Sequence, residues 1–68
     1  MNIKFDRELV KQTYDTLSNY VKELEEKKVA ALAMNTPAGS LIAERLDERI
    51  IEKKEELENI KYALVNMT

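Results

Sequence analysis

The chain has 68 residues, 44% of them hydrophobic and 35% charged, with 11 basic and 13 acidic side chains and neither histidine nor cysteine. That length holds one small domain, and the apolar fraction is too high for a disordered tail. Without cysteine or histidine there is no disulfide framework, no zinc site and no thiol nucleophile, and a net charge of −2 argues against a protein that tracks nucleic-acid phosphates.

The first residues, Met1-Asn2-Ile3-Lys4-Phe5-Asp6, lack the continuous apolar core of a signal peptide. The longest apolar run, residues 29–34, falls far short of the roughly 20 residues that span a bilayer. The expectation is a cytoplasmic protein with no membrane segment.

A first helix is predicted over 6–35. Asp6 suits the cap position, where a carboxylate accepts hydrogen bonds from the free N–H groups of the first turn. Phe5 and Val10 have the spacing of a hydrophobic staple. Apolar residues then step by four and three through Val10, Tyr14, Leu17, Val21, Leu24, Lys28 and Ala31. This is a coiled-coil seam, widened on one side by Thr13, Tyr20 and Met34. Asn35 tolerates the left-handed conformation that ends many helices.

The only proline and the only glycine fall together in Asn35-Thr36-Pro37-Ala38-Gly39-Ser40. Such residues break helices, so a single turn is predicted over 35–40. Thr36 is the expected cap of the second helix, with Pro37 at its first position, where a missing N–H costs nothing; Ser40 is the rival cap. The second helix is predicted over 37–66, with a seam of Ala43, Leu46, Ile50, Lys53, Leu57, Ile60, Leu64 and Met67 flanked by Ile42 and Ala63. Folding about residues 37 and 38 sets Leu17 against Leu57, Tyr14 against Ile60, Val10 against Leu64 and Leu24 against Ile50. The predicted fold is therefore all-α: one domain over 1–68, an antiparallel, coiled-coil-like two-helix hairpin.

Leu9, Tyr20, Leu32, Ile42, Ile51, Tyr62 and Val65 lie beside or beyond the seam. In a lone hairpin they enlarge an exposed apolar patch, the usual mark of an interface. Dimerisation into a four-helix bundle is the expected solution. Residues 29–34 are apolar on every side, the pattern of a buried helix segment, so the tip is expected to be covered by a second subunit or docked into another protein. The expected interface comprises Val10, Tyr14, Leu17, Val21, Leu24, Leu32, Met34, Leu46, Ile50, Leu57, Ile60 and Leu64.

Two charges, Lys28 and Lys53, fall on seam positions. Each can lay its stem along the seam with the ammonium in water, fix register as a buried polar group does, or anchor an anionic ligand. Asp47 falls across the hairpin from Lys28, within pairing reach. The acidic groups around Glu23-Glu25-Glu26 and Glu52-Glu55-Glu56-Glu58 point mostly outward, and carboxylate di-metal bundles also need Glu-x-x-His motifs, so no metal or cofactor is expected. Tyr14, Tyr20 and Tyr62 lack the basic groove of a single-strand nucleic-acid binder. Ser18, Ser40 and the threonines have no evident base to activate them. Lys22 and Glu26 have the spacing of a surface pair.

In length and topology the chain resembles the Rop-type hairpin dimers that bind plasmid RNA, without a shared motif. Residues 43–47, Ala43-Glu44-Arg45-Leu46-Asp47, followed by Ile50, resemble the signature Ser-Gln-Glu-Leu-Asp of the helical-hairpin aspartyl-phosphate phosphatases of sporulation phosphorelays. Leu46, Asp47 and Ile50 match, while Ala43, Glu44 and Arg45 depart from it; this resemblance implies a phosphatase with Asp47 carrying the chemistry. The Thr36-Pro37-Ala38-Gly39 helix start resembles that of many short proteins of bacteria and their phages. By elimination, the expected function is a non-catalytic protein–protein interaction module or small bacterial or phage regulator, partnered by itself and by another protein. The alternatives are the phosphatase and a bundle that sequesters a small anionic ligand at Lys28 and Lys53.

Overall fold

The computed structural model describes residues 7–66; the expected cap Asp6, the staple residue Phe5 and the seam residue Met67 lie outside them. Two helices, α1 (Arg7–Ala33) and α2 (Pro37–Asn66), pack against each other as a hairpin with extents of 54 × 21 × 14 Å.

The turn is built from its own side chains and backbone. Asn35 takes φ 53°, the left-handed region that asparagine enters at low cost. A helix cannot run through such a residue, so α1 ends at Ala33 and not at Asn35 as the sequence predicts. The N–H groups of Met34 and Asn35 donate to the carbonyls of Ala31 (3.2 Å) and Leu32 (3.1 Å), satisfying carbonyls that the ending helix would leave free. Thr36 then opens α2. Its Oγ1 accepts from the Gly39 N–H at 3.0 Å, its carbonyl accepts from the Ser40 N–H at 3.0 Å, and Pro37 occupies the first helical position. Thr36 is the cap, and Ser40 lies inside the helix.

Burial follows the four-and-three spacing along both helices. Val21, Leu24, Ala31, Ala43 and Ile50 are the buried apolar residues, and Gly39 is buried with them. Val10, Tyr14, Leu17 and Lys28 of α1, and Leu46, Lys53, Leu57, Ile60 and Leu64 of α2, are half-buried on the same seam. Val21, Leu24 and Ile50 form one cluster, against which Tyr20, Leu46 and Leu57 pack.

Gly39 belongs to this seam as well as to the turn. It stands four residues before Ala43, and a Cβ placed on it would run into the Ala31 carbonyl oxygen, with the Met34 Cβ at 3.1 Å and the Thr36 Oγ1 at 3.2 Å. The backbone of α1 comes close to α2 at Gly39, which leaves no room for a side chain there. The sequence reading begins the second seam at Ala43 and treats Gly39 only as a breaker. The structure makes it the first core position of α2.

Candidate interaction surface

The helix seam divides the hairpin surface into two flanks, and periodicity decides which residue lies on which. Thr13, Tyr20 and Lys27 recur every seven residues along one edge of α1, with Met34 of the connection next in that row, and Ile42, Arg49, Glu56 and Ala63 along the corresponding edge of α2. Lys11, Ser18, Glu25 and Leu32 run along the other edge of α1, facing Ser40, Asp47, Lys54 and Lys61 of α2. Seven residues make nearly two helical turns, so each row stays on its side.

The second flank is held by charge. Lys28 Nζ donates to Asp47 Oδ1 at 2.8 Å across the helices, and Lys54 Nζ lies 3.1 Å from Glu25 Oε1. Lys28 keeps its stem on the seam and turns its ammonium toward this flank. The Lys28 and Asp47 side chains remain 35% and 46% exposed, so water screens the pair and its contribution is about 0 to 1 kcal/mol. Lys53, the other seam lysine, pairs along its own helix with Glu56 at 3.2 Å. Lys22 and Glu26 make no ion pair among the described residues.

The first flank opens into an apolar groove toward the chain ends. Leu9, Thr13, Thr16 and Tyr20 of α1 line it with Glu56 and Asn59 of α2, and its floor reaches the seam at Leu17 and Ile60. Its volume is about 780 Å³. Thr13 Oγ1 donates to the Leu9 carbonyl at 2.9 Å, which turns the hydroxyl back to the helix and leaves its methyl for the groove.

Large apolar side chains stay outside the hairpin core. Leu9 is 60% exposed, Leu32 53%, Met34 55% and Ile42 47%; Val29, Leu41, Ile51, Tyr62 and Val65 are exposed as well. Of the expected interface residues, Val10, Tyr14, Leu17, Val21, Leu24, Leu46, Ile50, Leu57, Ile60 and Leu64 are buried or half-buried within one chain. Leu32 and Met34 do not join it. In residues 29–34 only Ala31 is buried, because a two-helix hairpin has a single partner helix to cover an all-round apolar segment.

Among the described residues no group of histidine, cysteine or carboxylate side chains is placed to hold a metal ion, and no helix is long and apolar enough to cross a membrane. No protein-family model matches the chain, and neither does any curated protein or solved structure.

Proposed function

We propose that this chain is a non-catalytic protein–protein interaction module that acts as a homo-oligomer, two hairpins joining into a four-helix bundle, and that the assembly is a small bacterial or phage regulator engaging a larger protein. The observation behind this reading is the imbalance between core and surface. Among the described residues, five buried apolar ones stand against nine large apolar ones that are 47% exposed or more. Leu9, Met34 and Ile42 of these share the groove flank, and a contiguous exposed apolar patch is the usual mark of an interface. A small chain without disulfides or metal commonly gains its remaining stability by oligomerising.

Sedimentation equilibrium at micromolar concentration is the test. The expected mass is a multiple of the 7.9 kDa chain. A 7.9 kDa species that keeps full helicity by circular dichroism would contradict the proposal.

A further inference from the structure

Residue types change in blocks along the flank that carries the groove. Starting from the turn, Met34 and Ile42 come first, followed by a basic block of Arg45, Lys27 and Arg49. An acidic block of Glu23, Glu52 and Glu56 follows, and then the groove lined by Leu9, Thr13, Leu17, Tyr20 and Ile60. Each helix carries the order by itself, Met34, Lys27, Glu23 and Tyr20 toward the start of α1 and Ile42, Arg45, Arg49, Glu52, Glu56 and Ile60 along α2. Among the described residues Glu23, Lys27, Arg45, Arg49 and Glu52 make no ion pair within the chain. The opposite flank differs, since Lys28–Asp47 and Lys54–Glu25 already match its central charges.

Resting on the self-association proposed above, we infer that this flank is the dimer interface and that its occupant is a second copy of the chain lying antiparallel, turn against open end. A two-fold axis through the boundary of the two blocks lays each basic block on the acidic block of the other copy. A two-fold contact is made twice, so both matches form at once. The same rotation carries Met34 and Ile42 of each copy to the level of the other copy's groove. Two apolar side chains that are about half exposed thereby meet the open groove whose floor is the half-buried Leu17 and Ile60. A turn-to-turn dimer on the same face sets basic on basic, acidic on acidic and groove on groove, and like charges brought together are strongly unfavourable. The area suffices: a 54 × 21 Å face presents roughly 1,100 Å², against the ~800 Å² per partner of an ordinary stable interface.

The test is charge reversal with exchange. The Arg45→Glu/Arg49→Glu chain and the Glu23→Lys/Glu52→Lys chain are each expected to self-associate roughly tenfold more weakly than wild type or worse. An equimolar mixture of the two should recover association as a heterodimer, and the chain carrying all four changes should recover it alone. Helicity by circular dichroism checks that each variant folds, and recovery on mixing cannot come from misfolded chains. Orientation is read by oxidative cross-linking, for which the cysteine-free sequence is suited. Met34→Cys mixed with Thr13→Cys should cross-link far more than Met34→Cys alone. Wild type that stays a folded monomer overturns self-association and this interface together. Wild type that associates while the reversed chains associate equally well overturns the interface and leaves self-association standing. Cross-linking of Met34→Cys with itself, and not with Thr13→Cys, overturns the antiparallel arrangement.

Discussion

The half of the hairpin next to the turn and the half toward the chain ends are built on the same spacing, yet among the described residues only the first contains buried ones. Among the described residues every buried one, from Val21 through Ile50, lies in the turn-proximal half. Beyond it Val10, Tyr14, Leu17, Leu57, Ile60 and Leu64 keep the seam positions and remain half-buried. Near the turn the small residues Ala31, Gly39 and Ala43 are buried, and next to them Val21, Leu24 and Ile50 form the one buried cluster among the described residues. Farther out, large side chains stand on both helices with no third element over them, and one flank opens as the groove. Spacing therefore determines which face is inward, and it does not by itself determine how deeply each position is buried.

Leucine truncation is the strongest way to break this comparison. Leu24→Ala, at a 3% exposed position, is expected to cost about 2 to 3 kcal/mol, the low end for a core leucine, while Leu64→Ala should cost about 1 kcal/mol. Urea melts followed by circular dichroism measure both. Equal losses would show that the two halves are equally packed. Repeating the Leu64→Ala melt at higher protein concentration sharpens the result, since a loss that grows with concentration reports a far half covered by association.

A smaller effect, decided by its sign, is expected at Gly39. Alanine is the better helix former by about 1 kcal/mol, so Gly39→Ala stabilises if the site is ordinary helix. Its new Cβ meets the Ala31 carbonyl oxygen, a backbone atom that cannot swing aside, and overpacking of this kind costs about 1 to 3 kcal/mol. The net outcome expected is a lowered melting temperature. An unchanged or raised one would mean that the backbones do not approach closely at Gly39.

The smallest effect is expected at Lys28→Met. Removing a pair whose partners are 35% and 46% exposed should shift stability by under about 1 kcal/mol in either direction. A loss of several kcal/mol in the melt would mean that the Lys28–Asp47 pair carries the turn-proximal half.

The sequence makes the seam legible because burial on a helix repeats with the helix itself: the steps from Val10 to Ala31 and from Ala43 to Leu64 name the inward face. Asn35 and Thr36 are legible because the conformation of one and the hydroxyl of the other suit a helix end and a helix start. Gly39 is misread for a physical reason. Glycine signals conformational freedom and absence of bulk with the same letter, and here absence of bulk is what the fold uses, since its φ is not positive. The Glu25–Lys54 pair is not legible either, because long flexible side chains reach across turns that residue counting treats as separate. The groove depends on how far apart two helices stand, and no spacing within one helix states that distance.

The connection between the helices is only Met34, Asn35 and Thr36, and its length bears on how the molecule forms. With so short a link, the first contacts to close join residues near in sequence, at small loop-closure cost. Ala31, Gly39 and Ala43 can meet as soon as Asn35 and Thr36 set the bend, and each further layer then adds to an existing edge. The hairpin is accordingly a zipper fastened at one end. Chains of such low contact order fold fast, and opening runs in from the loose end while the turn stays closed.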